Sequence, residues 1–340
     1  MPEQAAQKSS LPLAVSMGDP SGIGPDILLQ AWVNKSEEPL PKFFVVGDPS
    51  FLKRRAELLG FPVDIHEYNG SLEHSSNALL VLDVSTSCRG EAGAPSSKED
   101  ATTTIRAIER AVACVFDKTA SGVVTCPINK KVLYESGFSF PGHTEFLANI
   151  ASQTIGKTIH PVMMIAGPGL RTVPVTIHIP LSKVTSHLTP DLIVNTAKIV
   201  HTDLMNRFGI SNPRLAISGL NPHAGESGAL GDEECDIIAP AIKTLLELGI
   251  NVTGPLPADT MFHASARQAY DAALCMYHDQ ALIPAKMLGF DDAVNVTLGL
   301  PFVRTSPDHG TAYDIAGTGK SNPSSFVAAM KLAAEMTGNS

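Results

Sequence analysis

Short apolar runs alternate along this chain with longer segments in which apolar residues recur at helical spacing. The apolar runs predict strands at Leu13–Ser16, Phe43–Gly47, Leu79–Val84, Gly122–Thr125, Val162–Ala166, Val173–His178, Leu215–Ser218, Ala273–Met276 and Val294–Thr297. The helical spacing predicts helices at Pro25–Asn34, Pro49–Leu59, Lys98–Lys118, Thr144–Gly156, Pro190–Phe208, Glu233–Leu248 and Pro323–Met336. Strands that alternate with helices are typical of α/β proteins with a largely parallel sheet.

Two loops rich in glycine and proline suggest where the chain passes between domains. The segment GFSFPGH at residues 137–143 is a candidate crossing point, and residues 299–306 are a candidate return. We therefore predict an outer domain of residues 11–138 plus 300–340, and an inserted middle domain of residues 139–299.

Composition narrows the class of function. Of 340 residues, 44% are apolar and 17% are charged, which is ordinary for a globular enzyme. The net charge is −9 and the basic residues are scattered, which argues against nucleic-acid binding because phosphate backbones are held by clustered cations. No apolar stretch approaches the roughly 18 residues of a membrane span.

Five cysteines are spread along the chain without a C-x-x-C pair, at Cys88, Cys114, Cys126, Cys235 and Cys275. An odd, dispersed set argues against a disulfide framework or a structural zinc site and favours the cytoplasm. The N-terminal segment has an acidic residue and no apolar run before Leu11, so we expect no secretory signal and a loose tail at residues 1–10.

Three histidines stand where strand-like runs stop: His178 after VPVTI, His223 in GLNPHAGE, and His278 after CMY. The carboxyl ends of parallel strands face the ligand crevice, so three such imidazoles can converge on one divalent metal ion. For a single histidine, a hydrogen-bonded structural role is the commoner explanation. For the trio, both interpretations stay open at this stage.

The segment Gly142-His143-Thr144 opens a predicted helix. Thr144 is a candidate cap, and free N–H groups in a first helical turn bind anions such as phosphate. His143 adds a further donor. A helix cap without a ligand is an equally good interpretation.

Lys286, Asn295 and Arg304 follow in one C-terminal stretch. A guanidinium binds oxyanions through two parallel N–H groups, an ammonium binds them as a point charge, and an amide forms hydrogen bonds with polar groups. Together they suit a phosphorylated amino acid or sugar acid, although each taken singly is more often a surface charge or cap.

The loop after the first strand, MGDPSGIGP at residues 17–25, matches neither G-x-G-x-x-G nor the Walker pattern. We interpret it as a tight connection from strand to helix, with Asp19 facing a cleft. The nucleophile-elbow pattern G-x-S-x-G is absent from the sequence.

Several strings in a fixed order identify this sequence as similar to a known family, the 4-hydroxythreonine-4-phosphate dehydrogenases of pyridoxine 5′-phosphate biosynthesis. The strings are MGDPSGIGPDI, PINK (127–130), GHTEFLA (142–148), GLNPHAGE (219–226), GPLPADT (254–260), YHDQ (277–280) and NVTLGLPFVRTSPDHGTAYDIAG (295–317). The resemblance spans about residues 13–336. It implies two α/β/α domains with largely parallel mixed sheets, like isopropylmalate dehydrogenase, and an active-site cleft between them.

The resemblance also implies roles for particular residues. The metal ligands would be His178, His223 and His278, and the substrate contacts would be His143, Thr144, Lys286, Asn295 and Arg304. The segment HGTAYDIAGTGKSNP (309–323) resembles the nucleotide-binding loop of the isopropylmalate and isocitrate dehydrogenases. It implies nucleotide contacts at His309, Gly310, Thr311, Ala312, Asp314 and Asn322.

The implied enzyme is a homodimer whose active site lies at the subunit interface and takes ligands from both chains. It would use NAD or NADP and one divalent ion, such as zinc, cobalt or magnesium. The substrate hydroxyl would be oxidised, and the resulting β-keto acid would lose carbon dioxide to give 3-amino-2-oxopropyl phosphate. Asp259 is our candidate for the general base, with a role in orienting a metal ligand as the alternative.

Two other classes of function stay open. A paralogous dehydrogenase of a phosphorylated four-carbon sugar acid, or of a cyclic dihydrodiol, would share the histidines and the HGTA loop. A metal-dependent hydrolase or lyase would need the histidines but no nucleotide, and the 309–323 segment argues against it.

Overall fold

The computed structural model describes residues 11–73, 77–94, 96–138, 140 and 142–338, so the expected tail at residues 1–10 lies outside the described part. Within it the strands are β1 (Leu13–Ser16), β2 (Phe43–Gly47), β3 (Ile65–Glu67), β4 (Leu79–Asp83), β5 (Gly122–Thr125), β6 (Val162–Gly167), β7 (Leu170–Pro174), β8 (Leu215–Ser218), β9 (Val252–Leu256), β10 (Ala272–Cys275), β11 (Val294–Leu298) and β12 (Val303–Pro307). The α-helices are α1 (Gly24–Val33), α2 (Pro49–Leu59), α3 (Lys98–Phe116), α4 (Lys130–Glu135), α5 (His143–Ile155), α6 (Val184–His187), α7 (Pro190–Asn206), α8 (Ala239–Glu247), α9 (His278–Leu288) and α10 (Ser324–Gly338).

The chain forms two compact units. The first unit contains the described residues up to Pro161 together with Leu300–Gly338, and the second unit is Val162–Gly299. Helix α5 belongs to the first unit, where the ring of Phe146 lies 4.8 Å from that of Phe138 and 5.3 Å from that of Phe140. This aromatic packing puts the division after α5, whereas the sequence suggested a boundary at residues 138–139.

The sheet of the first unit has the strand order β3-β4-β2-β1-β5-β12, and its pairings are parallel. From β1 the chain moves outward to β2 on one side, and it later returns to β5 on the other side. The carboxyl ends of β1 and β5 therefore form a topological switch point, where open α/β sheets bind ligands.

Local sequence explains where the helices of this unit begin and end. The Asp48 side chain caps α2 by accepting from the N–H groups of Ser50 and Phe51, and Gly60 ends that helix at φ 68°. Ser97 and Asp100 form a reciprocal capping box at the start of α3. Helix α3 packs against the sheet, where Phe44 is fully buried and stacks on Tyr68 with ring centroids 4.1 Å apart.

The sheet of the second unit has the order β11-β6-β7-β10-β8-β9. Strands β7, β10, β8 and β9 are parallel, while β6 is antiparallel to both of its neighbours. The carboxyl ends of β7, β10 and β8 consequently share one edge. The predicted α/β class with largely parallel, mixed sheets is confirmed in both units.

Most predicted elements are present, but some boundaries differ. The predicted strand Val173–His178 is wrong at its end: β7 stops at Pro174, and His178 has a left-handed backbone with φ 50°. Backbone hydrogen bonds to the β10 side continue past the end of β7, because the N–H groups of Val175 and Thr176 donate to the carbonyls of Cys275 and Met276. The predictions also omitted β3, β9, β12, α4, α6 and α9.

No helix among the described residues is both long and apolar enough to cross a membrane. All five cysteines are free thiols, and four of them are buried.

Candidate functional site

A buried arginine marks the switch point of the first unit. Arg304 on β12 lies beside Val123 on β5, and only 2% of its surface is exposed. Its Nη2 donates a hydrogen bond of 2.6 Å to the Oγ1 of Thr125, the last residue of β5. This contact directs the guanidinium toward the carboxyl end of the sheet.

Helix α5 begins next to this guanidinium in the chain's first unit. Its N-cap is Gly142 in an extended conformation, and no side chain caps the first turn. The expectation that Thr144 caps the helix is therefore wrong, because the helix starts one residue earlier and Thr144 lies inside its first turn. The amide N–H groups at this end are left for another acceptor.

His143 has a covered ring nitrogen. Its Nε2 atom is buried and forms no hydrogen bond with a described residue. Burial lowers the pKa of His143 well below the ordinary 6.5, and the charges of Arg304 and Lys130 lower it further. The imidazole is therefore neutral at physiological pH.

Burial also lowers the pKa of Arg304 from 12.5 to about 9, and the carboxylate of Glu145 opposes this effect. Arginine nevertheless keeps its proton at neutral pH. A buried cation beside a neutral imidazole and uncapped amides makes an electropositive site. Such a site favours an anion.

The predicted nucleotide-binding residues lie in the loop before α10, also in the first unit. The carbonyl of Thr311 accepts a 2.9 Å hydrogen bond from the N–H of Ile23. A Cβ atom at Gly22 would lie 2.9 Å from both the Cβ and the carbonyl oxygen of Thr311, so only glycine allows this approach. The loop is thus packed closely on the β1–α1 connection.

Two carboxylates hold these loops together. Asp19 accepts from the N–H of Ser21 at 2.9 Å, from Ser96 and from the hydroxyl of Tyr313 at 2.6 Å. Asp26 pairs with the buried Arg55 and accepts from the N–H of Gly317 at 2.6 Å. Asp19 is only 3% exposed, so it fixes the loops instead of facing an open cleft.

The remaining residues predicted for the nucleotide have varied surroundings. Asp314 is exposed, Ala312 has a left-handed backbone with φ 41°, and His309 contacts the carbonyl of Gly310 through Nδ1 at 3.1 Å. Asn322 Oδ1 accepts from the N–H of Ser324 at 3.0 Å and so supports the start of α10.

In the second unit, each of the three candidate metal ligands follows the carboxyl end of one of three adjacent parallel strands, β7, β8 and β10. The rings of His178 and His278 lie 5.8 Å apart and line one pocket of about 220 Å³. His278 Nδ1 contacts the carboxylate of Asp279 at 2.7 Å. Among the described residues, no group of three potential ligands is assembled within a single chain.

His223 lies in a strained loop. Residues 223–227 all have positive φ, and four of them are not glycine. Such strain persists only where the surroundings over-determine it, and it clusters at functional sites. Here the buried carboxylate of Glu234 accepts 2.7 Å hydrogen bonds from the N–H groups of Leu220 and Asn221.

Gln280 connects the strand ends that precede His223 and His278. Its Oε1 accepts from the N–H of Met276 at 2.6 Å and from Ser218 at 2.8 Å. Its Nε2 donates to the carbonyl of Gly219 at 2.8 Å. The carboxyl ends of β8 and β10 are thereby fixed relative to each other.

The other predicted residues of the second unit are placed as follows. Lys286 lies on α9 with its ammonium 5.6 Å from the centre of the Phe290 ring. Asn295 lies on β11 and is partly buried. Asp259 is exposed in the turn after β9.

Three residues of these sites were not predicted from the sequence: Glu234, Gln280 and Thr125. Gln280 stood in the quoted string YHDQ and Glu234 in an acidic run, but neither string shows that the side chain turns inward to hold backbone groups.

The fold of each unit is α/β; the first unit has an electropositive switch point, and the second unit carries histidines after parallel strands. The chain belongs to the family described as pyridoxal phosphate biosynthetic protein PdxA, which matches residues 39–333. The resemblance found from the sequence motifs is confirmed.

Known relatives agree with this assignment. A 4-hydroxythreonine-4-phosphate dehydrogenase from Bradyrhizobium diazoefficiens is 52% identical, over 97% of this chain and 98% of that protein. The crystal structure of the Klebsiella pneumoniae enzyme of that name has a TM-score of 0.85 and 34% identity, covering 96% of this chain and 100% of the other. A terephthalate 1,2-cis-dihydrodiol dehydrogenase from Burkholderia xenovorans has a TM-score of 0.65 and 25% identity, covering 96% of this chain and 98% of the other.

Proposed function

We propose that this chain is an oxidoreductase that converts 4-phosphooxy-L-threonine to 2-amino-3-oxo-4-phosphooxybutanoate. NAD or NADP accepts the hydride, and the product then loses carbon dioxide to give 3-amino-2-oxopropyl phosphate in pyridoxine 5′-phosphate biosynthesis. The observation that carries the proposal is the electropositive site around Arg304 and His143 in a member of this family. We assign the activity to the cytoplasm.

Arg304, His143 and Thr144 bind one anionic end of the substrate. The guanidinium is held by Thr125, and the first turn of α5 offers uncapped amides beside it. Binding of this anionic end fixes the orientation of the substrate, because burial strengthens each charge-assisted hydrogen bond. Lys286 and Asn295 contact the remaining polar groups of the substrate in our proposal.

The residues fit a divalent ion in part. His178 and His278 line one pocket, and their ring centroids lie 5.8 Å apart. Imidazole nitrogens suit zinc or cobalt better than magnesium, which prefers oxygen ligands. A bound ion would lower the pKa of the substrate hydroxyl and so favour hydride departure.

We further propose that the third ligand, His223, comes from a second copy of the chain in a homodimer. The pairing of His178 with His278, and the separate anchoring of the His223 loop by Glu234, support this arrangement. The strained loop presents the imidazole on a fixed backbone. Asp279 orients His278 through the contact to Nδ1, which leaves Nε2 for a ligand.

The nucleotide is assigned to the loop carrying His309, Gly310, Thr311, Ala312, Asp314 and Asn322. The close packing of this loop on the β1–α1 connection, beside the switch point, supports this assignment. The carboxylate of Asp259 accepts the proton of the substrate hydroxyl in our proposal.

The function is tested by a substrate panel with purified protein. We expect reduced nicotinamide to form with 4-phosphooxy-L-threonine and far more slowly with a cyclic dihydrodiol or a phosphorylated four-carbon sugar acid. The 52% identity to a dehydrogenase of the first substrate, against 25% to a dihydrodiol dehydrogenase, favours this order. A faster reaction with either rival substrate overturns the proposal, and conversion without nucleotide reduction would instead indicate a hydrolase or lyase.

Complementation tests the shared metal site. His223→Ala and His278→Ala are each inactive, but a heterodimer of the two variants retains one complete site when His223 acts in trans. Random pairing would then give about 25% of wild-type activity, because half of the dimers are mixed and each has one intact site of two. Activity that stays at zero after subunit exchange contradicts a ligand supplied by the partner.

A further inference from the structure

Lys130 is the first residue of α4 and is not among the substrate contacts proposed above, yet its side chain reaches the first turn of α5. A Cβ atom placed on Gly142 would stand 3.2 Å from the Cε of Lys130 and 3.4 Å from its Nζ. The same point is 3.5 Å from Oε2 of Glu145. The ammonium therefore lies beside the uncapped first turn, where a side chain at residue 142 would crowd it.

Two other observations join Lys130 to the same site. Its charge contributes to the lowered pKa of His143, together with burial and with Arg304. Among the described residues, no carboxylate forms an ion pair with Lys130. The neighbouring Lys131 differs, because its N–H donates to the side chain of Asn129 and its charge is not among those that lower the pKa of His143.

The charges of the site indicate what it binds. Arg304 and Lys130 bring two positive charges and Glu145 brings one negative charge. The helix start adds roughly half a positive charge, which leaves about +1.5 in total. A phosphate monoester carries about −1.5 to −2 at neutral pH, whereas a carboxylate carries only −1. The balance matches a phosphate group.

We propose that Lys130 binds the phosphate group of the substrate, as the third side chain of a subsite formed with Arg304 and His143. This inference rests on the proposed function and specifies which end of the substrate the first unit holds. The ammonium acts as a point charge on one phosphate oxygen, and the guanidinium fork binds the others. The covered Nε2 of His143 serves the same group.

The test is equilibrium binding by calorimetry, in the absence of nucleotide so that no turnover occurs. The ligands are 4-phosphooxy-L-threonine and the unphosphorylated 4-hydroxy-L-threonine. Lys130→Met is compared with Lys131→Met, the matched change at the adjacent exposed lysine, and with Lys130→Arg. We expect Lys130→Met to weaken binding of the phosphorylated ligand roughly 10- to 100-fold, as for loss of a hydrogen bond to a charged group. Lys131→Met should bind it like wild type, and Lys130→Arg should recover most of the affinity.

Binding of the unphosphorylated ligand should not change in Lys130→Met. A second readout follows the His143 ring by NMR: its pKa should rise in Lys130→Met, because a nearby cation is removed, and should stay constant in Lys131→Met. Unchanged affinity of Lys130→Met for the phosphorylated ligand overturns the role of Lys130. Equal weakening for both ligands overturns the assignment to phosphate. Failure of the wild-type protein to bind 4-phosphooxy-L-threonine would overturn the proposed function itself.

Discussion

Replacing the buried guanidinium should stabilise the ligand-free protein while it removes substrate binding. Arg304→Met keeps a long side chain of similar volume but deletes the charge. Burial lowers the pKa of Arg304 from 12.5 to about 9. At about 1.4 kcal/mol per pH unit, that fall corresponds to a cost of roughly 5 kcal/mol for holding the charge in place.

Part of this cost is offset in the native protein. The hydrogen bond to Thr125 contributes on the order of 1 kcal/mol, and its loss leaves a buried hydroxyl with one partner fewer. We therefore expect a net gain of about 2–4 kcal/mol in the free energy of unfolding, in the range seen when buried charges are replaced by apolar groups.

The measurement is urea unfolding of the ligand-free protein, followed by circular dichroism. Arg110→Met, at an exposed arginine of α3, is the control and should change stability little. In a second series, 4-phosphooxy-L-threonine at 100 times its Kd should stabilise the wild-type protein by about 2.7 kcal/mol and Arg304→Met hardly at all. A loss of stability in Arg304→Met without ligand refutes the claim that this charge is held at a cost.

Three further outcomes test the supports of the site. Gln280→Leu should lower the free energy of unfolding by about 3 kcal/mol or more and remove most of the activity, because three buried backbone and hydroxyl groups lose their partner. Gln268→Leu, at an exposed position, is the control and should change neither. Equal stability of the two variants in urea contradicts this prediction. Glu234→Gln should lower the free energy of unfolding by about 2 kcal/mol and remove turnover, since a charged acceptor of two amides is lost. Glu247→Gln, on an exposed face, is the control and should change neither. For His143, the unfolded imidazole takes up a proton near pH 6.5 and the folded one does not, so stability falls as pH drops below 6.5, by at most about 1.4 kcal/mol per pH unit. His143→Gln should show a shallower fall between pH 6.5 and 5 in urea unfolding, and an identical slope would argue against a neutral buried ring.

The sequence was a good guide wherever an element carries its own local signals. The strands Leu13–Ser16 and Leu215–Ser218 and the helix Pro49–Leu59 occur as predicted, because apolar runs, caps and terminal glycines mark them locally. Strand β12 was not predicted, because its sequence VRTSP is mostly polar although all five residues are buried in the structure. Helix α9 was not predicted, because it contains Pro284 and an internal proline is atypical of a helix.

The positions of the three candidate histidines relative to the strands were predictable from the sequence, but their spatial arrangement was not. The three histidines follow apolar, strand-like runs in the sequence, and in the structure they follow β7, β8 and β10. The pairing of His178 with His278 depends on the order in which strands lie in the sheet, which no local pattern encodes. The inward turn of Glu234 and Gln280 toward backbone groups is likewise a tertiary feature.

The metal dependence of 4-phosphooxy-L-threonine oxidation tests the central claim most directly. Protein stripped with a chelator is mixed with this substrate and NAD, and the absorbance of reduced nicotinamide is followed as zinc or cobalt is added back. We predict that the ion restores turnover in wild-type protein and has no effect in His278→Ala. Reduced nicotinamide that forms at the full rate in stripped protein, or in His278→Ala, would contradict the account.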